Sequence, residues 1–267
     1  PGGYRLEVDK DGYALIVSEA IKVDQNGFFS CKKYETKKDF ILYANSVTTQ
    51  TKNIIEGTVS ILKSADYSGA GVTTGSLSMN PPVAYFTSVD KSGHYLFQGI
   101  TEGAWYLLFY KMGYVTLTDK IQMLKDDRKT VNVTMDTKIE TVASKTSYVK
   151  GENITLTLKA MNYGNATKIV DLNVDPAYDF TIEQNGNVVW TYYKEAPQTQ
   201  MLGPEVQMPV GESVIGTIVW NQVGNNKQPI GAGKYQIYGT LGNGYETGGR
   251  QGEGGITQPF EIEIIEK

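Results

Sequence analysis

Histidine and cysteine are almost missing from this sequence of 267 residues, which contains one of each, His94 and Cys31. A Ser–His–Asp or Cys–His relay would have to be built around His94. That residue lies in the run Ser92-Gly93-His94-Tyr95, where a solvent-exposed hairpin position is the common role of a lone histidine. Zinc sites need several histidine or cysteine ligands and a disulfide needs a second cysteine, so the sequence excludes both within the chain.

Strong net charge and long apolar runs are also missing. The net charge is −4 at pH 7, from 25 Lys and Arg against 29 Asp and Glu, and the sequence has no basic cluster. Nucleic-acid surfaces normally carry such a cluster, so we expect no nucleic-acid partner. The longest apolar run, around residues 105–110, has the length of a strand. It is far below the roughly 20 residues that cross a bilayer, so we expect no membrane span in this chain.

Strand and turn signals dominate what is present. Apolar and polar residues alternate in 154–158 and in 260–264, which is the pattern of a half-buried strand. Turn pairs such as Asn26-Gly27 and Asn185-Gly186 recur along the chain, and the 29 glycines and 18 tyrosines suit short strands joined by tight turns. This rhythm predicts an all-β fold of tandem antiparallel β-sandwiches.

The first part of the chain is similar in sequence to the middle part in two alignment frames. Residues 2–13 match 103–114 through their Gly-x-aromatic and Gly-Tyr elements, and residues 23–27 match 89–93. Both frames predict that residues 1–53 hold a partial copy of the module that follows. In the second frame Cys31 aligns with Phe97, so we expect it to be a small buried apolar residue.

The middle of the chain carries an ordered set of sandwich motifs. They are an opening Gly57-Thr58-Val59, a hairpin over 89–97, the pair Gly113-Tyr114 and a closing strand over 131–135. In this order they resemble the carboxypeptidase regulatory-like domains, which are transthyretin-type, Cna-B-like or PEGA-type sandwiches. The resemblance implies a non-catalytic spacer or binding module. The residues agree with it, because Gly113 suits a bend at which Tyr114 covers the core edge.

The C-terminal half carries a second, different set of motifs. They are Tyr178-Asp179-Phe180, Val188-Val189-Trp190, Val219-Trp220 and the run 231–239. Their order resembles the BsuPI-type domain, an immunoglobulin-like sandwich of the intracellular proteinase inhibitor family. The resemblance implies a loop that blocks a protease. This sequence departs from the family pattern at 191–194 and in the glycine-rich insert 241–255.

These motifs give the expected domain plan. It consists of a partial carboxypeptidase-regulatory-like module over 1–53, a complete one over 54–137, a linker over 138–147 and a BsuPI-type immunoglobulin-like sandwich over 148–267. The start Pro1-Gly2-Gly3 is typical of a processed or truncated chain.

A group of aromatic residues is the candidate partner-binding or ligand-binding site. Trp190, Tyr192 and Tyr193 are close in sequence, and Tyr245 is the one aromatic side chain of the glycine-rich insert. Exposed rings in a row suit sugar or peptide docking. A core tryptophan with a rim tyrosine is the alternative, because strand alternation places Trp190 and Tyr192 on one face and Tyr193 on the other.

Candidate acidic sites are few. Asp9-Lys10-Asp11-Gly12 and Asp24-Gln25-Asn26-Gly27 place oxygen ligands beside a glycine, as calcium loops do, but Asx-type hairpin turns explain both runs without an ion. Asp179, between two aromatic residues, is expected to cap a neighbouring loop. We assign no catalytic, cofactor-binding or metal-binding residues.

Sequons occur at Asn132, Asn153 and Asn165, each followed two positions later by threonine. They are candidate glycosylation sites and favour an extracellular or cell-surface location, although a chain rich in Asn and Thr forms such triplets by chance.

The sequence therefore favours a non-catalytic extracellular or cell-surface protein with a structural or adhesive role. An incomplete N-terminal module would expose strand edges, so assembly into a stalk or filament by strand sharing is expected, with other protein chains as partners. The alternatives are proteinase inhibition by the C-terminal domain and carbohydrate binding through the aromatics near Trp190. An enzyme ranks last, because groups that transfer protons near neutral pH are scarce.

Overall fold

The computed structural model describes residues 53–76, 83–172, 176–196, 205–242 and 254–266, together with four short strands within the first 22 residues. These strands are β1 (Gly3–Tyr4), β2 (Glu7–Val8), β3 (Ile16–Val17) and β4 (Ile21–Lys22). β1 pairs with β4 and β2 pairs with β3, both antiparallel, as two separate two-stranded sheets. Cys31 and the two calcium-type loops lie outside the described residues.

The middle of the chain forms a β-sandwich, here called the middle sandwich. Its strands are β5 (Ile54–Ile61), β6 (Gly71–Ser76), β7 (Val83–Ser88), β8 (His94–Gln98), β9 (Gly103–Tyr110), β10 (Leu117–Met123), β11 (Arg128–Thr130) and β12 (Val133–Met135). One sheet has the order β10-β9-β6-β7. The other has the order β11-β5-β12, with β8 also paired to β5. Alternation places one face of each sheet in the core between them.

Strands β11 and β12 run parallel to β5, and Val131 and Asn132 lie between them. The Val131 carbonyl points at Gly57 of β5, where any Cβ would overlap it. The same carbonyl accepts the Tyr95 hydroxyl at 2.8 Å, so a core ring is fixed to this break in the ladder. The close approach explains why the opening strand needs a glycine at this position.

The rest of the chain forms a second sandwich, here called the C-terminal sandwich. Its strands are β13 (Thr137–Ala143), β14 (Ser147–Val149), β15 (Ile154–Asn162), β16 (Lys168–Asp171), β17 (Tyr178–Gln184), β18 (Asn187–Thr191), β19 (Glu205–Met208), β20 (Gly211–Trp220), β21 (Gly233–Leu241), β22 (Gly255–Ile256) and β23 (Phe260–Ile265). The two main sheets have the orders β13-β15-β20 and β14-β23-β21-β17-β18, and β22 also pairs with β21. β16 and β19 form a short two-stranded ribbon, and they follow β15 and precede β20, which pair with each other antiparallel.

Large rings fill the C-terminal core. Tyr148, Phe180, Trp220 and Tyr235 are each at most 2% exposed and come from both main sheets. Helical structure among the described residues is limited to one 3-10 turn, Tyr192–Lys194. The predicted all-β fold of successive β-sandwiches is therefore confirmed.

The predicted linker over 138–147 is wrong. Most of it lies in β13, which pairs antiparallel with β15 along its whole length. Asp136 alone separates β13 from β12 of the middle sandwich. The pattern Ile139, Thr141, Ala143 alternates like a strand, and residues 138–143 contain no glycine or proline that would end one.

Candidate functional site

Trp190 lies in the core of the C-terminal sandwich and is 2% exposed. Its ring centroid is 5.9 Å from that of Trp220 and 6.4 Å from that of Tyr192. An indole packed in this way cannot stack against a sugar or peptide at the surface. The structure favours the alternative of a core tryptophan with a tyrosine at its rim.

Tyr192 is part of a ring stack at the edge of this core. It lies parallel to Tyr178, with centroids 5.7 Å apart and planes 11° apart. Tyr178 in turn covers Gly216 of β20 so closely that a Cβ there would overlap the ring. The glycine allows the ring to pack flat against the backbone, so the stack closes the space between the two sheets.

The alternation expected at Tyr192 and Tyr193 does not occur, because β18 ends at Thr191 and the 3-10 turn begins at Tyr192. Asp179 holds this turn. Its Oδ1 accepts the Tyr193 N–H at 2.7 Å, and it also accepts the N–H of the next residue, Phe180, at 2.8 Å. The expected loop-capping role of Asp179 is confirmed.

Burial raises the pKa of the Asp179 carboxyl, and the backbone N–H groups of Tyr193, Phe180 and Tyr192 oppose this shift. Among the described residues, the groups that stabilise the carboxylate are these backbone dipoles. The arrangement positions a turn and offers no nucleophile–base pair. Tyr245, the remaining aromatic candidate, lies outside the described residues.

All three sequon asparagines are exposed. Asn132 lies between β11 and β12, where its Oδ1 accepts the Thr58 N–H at 2.9 Å and the Thr58 hydroxyl at 3.0 Å. Asn153 immediately precedes β15, and Asn165 lies in the loop that follows it. Their glycosylation stays a prediction.

His94 begins β8 and belongs to an Asx-type turn. Asp90 Oδ1 accepts the His94 N–H at 2.9 Å, the Ser92 N–H at 2.8 Å and the Ser92 hydroxyl at 2.6 Å. These bonds, led by the one from the Ser92 hydroxyl, lower the pKa of Asp90. Gly93 has φ +84°, as the turn requires, so the hairpin predicted for Asp90 and Gly93 is confirmed.

Within the residues that the structure describes, no group of three His, Cys, Asp or Glu side chains is placed to hold a metal ion. None of the helical segments described is long and apolar enough to cross a membrane.

The junction between the two sandwiches is the feature that sequence reasoning missed. We define it as the turn 111–116, the start of β13 and the segment 254–258. The N–H of Gly113 donates to Ile256 O at 2.7 Å, and that of Thr116 donates to Gly254 O at 2.6 Å. On the other side, the Ile139 N–H donates to Gly113 O at 2.8 Å. The turn 111–116 thus bridges two segments of the C-terminal sandwich.

Side chains of the junction belong to both cores. Tyr114 packs in the core of the middle sandwich, whereas its neighbour Val115, 2% exposed, packs in the core of the C-terminal sandwich. A Cβ on Gly255 would lie 2.6 Å from Tyr114 O and 2.9 Å from Ile139 Cδ1. The segment 254–258 therefore packs against the turn 111–116 too closely for any side chain at this position. The predicted role of Tyr114 at the core edge is confirmed. The next residue, Val115, packs in the core of the other sandwich, so the two neighbours connect the two cores.

One sequence signal did point to this junction. Residues 133–143 read as two alternating strands with Asp136 alone between them, which is too short for a flexible linker. The contribution of residues 254–258 has no comparable signal, because it depends on a contact between distant parts of the chain.

A cleft of about 450 Å³ lies at the far end of the C-terminal sandwich, beside the β17–β18 hairpin and the loop 221–232. It is lined by Gln184, Val188, Val189, Lys194, Gly224, Asn225, Asn226, Gln228, Pro229, Ile230, Gly231 and Tyr235. Side-chain amides and aliphatic groups dominate this lining. The cleft has no pair of ionisable groups arranged for proton transfer among these residues.

Comparison with known families and proteins gives one family match. The model of the BsuPI family, described as an intracellular proteinase inhibitor, matches residues 141–244. This stretch runs from within β13 to just past β21, so the resemblance inferred from the motifs of the C-terminal half is confirmed. No curated protein matches the chain.

Solved structures show distant likeness. A DUF3823 family protein from Bacteroides uniformis is 12% identical, with 79% of this chain and 99% of that chain covered and a TM-score of 0.30. The major pilin subunit of Bacillus cereus is 13% identical, with coverages of 80% and 69% and a TM-score of 0.29. The major pilin SpaD from Corynebacterium diphtheriae is 12% identical, with coverages of 79% and 65% and a TM-score of 0.30. Scores this low carry no argument about the function of this chain.

Proposed function

We propose that this protein is a non-catalytic structural or adhesive component of the cell surface or the extracellular space, in which the two sandwiches act as one rigid unit. The junction carries this proposal. Sandwiches joined in tandem usually meet through a flexible linker and a modest interface, so relative motion is the default. Here a single residue, Asp136, connects the two, and backbone hydrogen bonds cross between them.

The distribution of charge supports a non-catalytic role. The ion pairs of the described residues mostly join neighbouring strands or lie within one turn, as Lys159–Glu212 does at 2.8 Å and Lys234–Glu261 at 2.8 Å. The two charged groups of such a surface pair neutralise each other, so few unpaired ionisable groups remain that could act on a substrate. Catalytic sites instead bring ionisable groups together in a pocket.

Rigidity is tested by small-angle X-ray scattering of the full chain and of a variant with five glycine and serine residues inserted between Asp136 and Thr137. We expect the unmodified chain to scatter as one rigid body and the insertion variant to need an ensemble with a larger maximum dimension. Scattering of the unmodified chain that itself requires an ensemble would contradict the rigid unit.

Location is tested separately. Intact cells that produce the protein are treated with a membrane-impermeant biotin reagent, with a cytoplasmic protein as the internal control. We expect the chain, which has 25 Lys and Arg and many exposed lysines, to be labelled while the control is not. Labelling no stronger than that of the control would contradict a surface location.

We further propose self-association by strand sharing through the N-terminal module. Its residues fall mostly outside the described part, so the proposal rests on the repeat pattern of 1–53 alone. Chromatography with light scattering across a wide concentration range should give species larger than a monomer. A strictly monomeric chain at every concentration would contradict it.

Proteinase inhibition is the second candidate, favoured by the BsuPI match over residues 141–244. An inhibitor presents a preorganised loop, and Asp179 holds the turn 192–194 because its Oδ1 accepts the Tyr193 N–H at 2.7 Å. Titration of the full chain against subtilisin-like proteases should then lower their activity at micromolar concentrations. Full protease activity would count against this candidate, and Asp179→Ala provides the matched variant with a loosened turn.

A further inference from the structure

The cleft at the far end of the C-terminal sandwich is preformed. Asn225 closes the edge of β18, because its Oδ1 accepts the Thr191 N–H at 2.8 Å and its Nδ2 donates to Thr191 O at 3.1 Å. Its own N–H donates to Val189 O at 3.2 Å. One residue thus takes the place of a neighbouring strand, and it fixes the loop 221–232 against the hairpin.

Further contacts hold the rim of the cleft. The Gly224 N–H donates to Gln228 O at 2.9 Å, and Asn226 Oδ1 accepts the Gln228 N–H at 3.0 Å. Lys227 Nζ reaches Glu195 Oε1 at 2.8 Å and so ties the loop to the end of the 3-10 turn. A concave site held by hydrogen bonds on two sides needs little ordering when it binds a ligand.

The lining chemistry discriminates between ligand classes. Val188 is 52% exposed at the mouth, and Val189 and Ile230 are half-buried below it. Tyr235, the one aromatic residue of the lining, is 1% exposed, and its hydroxyl donates to Gly231 O at 2.8 Å. A sugar ring would therefore find no aromatic face to stack on, whereas aliphatic groups beside side-chain amides suit a peptide segment.

Charge adds a further requirement. Lys194 is exposed at the cleft, and none of the described acidic side chains forms an ion pair with it. Lys227, the other cation nearby, is already compensated by Glu195. A ligand that brings a carboxylate to Lys194 would neutralise the remaining positive charge.

We infer that this cleft binds a short extended peptide segment that carries a carboxylate, with an aliphatic side chain on Val188 and Ile230, its amides on Asn226 and Gln228, and its carboxylate on Lys194. The carboxylate is that of an acidic side chain. A free C-terminus is normally captured by several backbone N–H groups, and those of Gly224, Asn225 and Gln228 already donate within the protein. This inference goes beyond the proposed structural role and does not depend on the rigidity of the junction.

The test uses the full chain labelled with ¹⁵N and three pools of N-acetylated random hexapeptides. The first pool has one fixed aspartate and an amidated C-terminus, the second has a free C-terminus without acidic side chains, and the third is neutral and amidated. We expect the side-chain amide signals of Asn226 and Gln228 to shift with the first pool and not with the other two. Shifts with the second pool alone, equal shifts with all pools, or no shift at millimolar peptide would overturn the inference.

Two charge-reversal variants make the test specific. Lys194→Glu should weaken binding of the active pool by about fivefold or more, the upper end of the effect of one exposed ion pair. Lys91→Glu, which changes an exposed lysine of the middle sandwich by the same charge, should leave it unchanged. Equal binding by Lys194→Glu and the unmodified chain would overturn the assigned role of Lys194, as would equal losses in both variants.

Discussion

The C-terminal sandwich ends in two different ways. At the junction, its β13 edge forms backbone hydrogen bonds with the turn 111–116 of the middle sandwich, and this turn also bonds to the segment 254–258. At the far end, Asn225 covers the β18 edge among the residues that the structure describes, and a cleft remains beside it. Both ends satisfy the backbone groups of an edge strand, but a whole neighbouring domain fixes the arrangement of the molecule, whereas a single side chain leaves room for a ligand.

The largest expected effect comes from breaking the junction. Val115→Asp places a carboxylate in the C-terminal core, and we expect it to lower the free energy of unfolding by about 3 kcal/mol or more through lost apolar burial and an unpaired buried charge. Urea unfolding followed by tryptophan fluorescence measures the change.

The matched control for this variant is Met112→Asp, at a position three residues away that is 43% exposed. It should change the free energy of unfolding by about 0.5 kcal/mol or less, as surface substitutions usually do. Equal losses in the two variants would mean that Val115 does not couple the sandwiches.

A smaller effect is expected at the other end. Asn225→Ala removes the two side-chain hydrogen bonds to the Thr191 backbone and a longer one from the Thr191 hydroxyl, so we expect a loss of about 1–3 kcal/mol in the free energy of unfolding. Hydrogen exchange of the Thr191 amide should become faster in the variant while exchange in β13 stays unchanged.

Asn187→Ala is the control for this substitution. Asn187 is an exposed asparagine of the same hairpin, and the hydrogen bond that its side-chain amide donates to Asn185 O is long at 3.3 Å. Loss of Thr191 protection in the control as well would show that the hairpin is weak in general and that Asn225 has no special part in closing it.

The smallest effect is a difference in pH dependence between two carboxyls that flank the 3-10 turn. The pKa of Asp179 is raised by burial, so its contribution to stability is fully present below its usual pKa and is lost as pH rises through the folded value. The pKa of Glu195 is lowered, chiefly by the hydrogen bond from Lys227, so its contribution is present above its ordinary value of 4.5 and is lost as pH falls through the folded value.

Urea midpoints measured between pH 3 and 8 separate the two carboxyls. Relative to the unmodified chain, Asp179→Asn should gain stability as pH rises, whereas Glu195→Gln should gain it as pH falls. The same slope in both variants would contradict the opposite shifts.

Much of the fold was readable from the sequence because strand alternation and turn residues are local signals. Alternation in 154–158 predicted β15, and Asn185-Gly186 lies at the turn between β17 and β18. Asp179 was readable as a loop cap because a carboxylate between two strand residues has few other partners than backbone N–H groups.

The site was less readable. Trp190 and Tyr192 are close in sequence, as the rings of a surface stack would be. However, the Trp190 ring lies in the core, and the Tyr192 ring packs on Tyr178, which precedes it by 14 positions. The cleft depends on Asn225 meeting Thr191 across a sequence separation of 34, and no local pattern encodes that contact.

The all-β class, the two kinds of sandwich and the scarcity of catalytic groups could be read from the residues alone, because each follows from composition, periodicity or motif order. The shared junction of the sandwiches and the position of the cleft at the opposite end could be seen only in the folded molecule. Both depend on which backbone groups of edge strands find partners far along the chain, and those partners are set by packing in three dimensions.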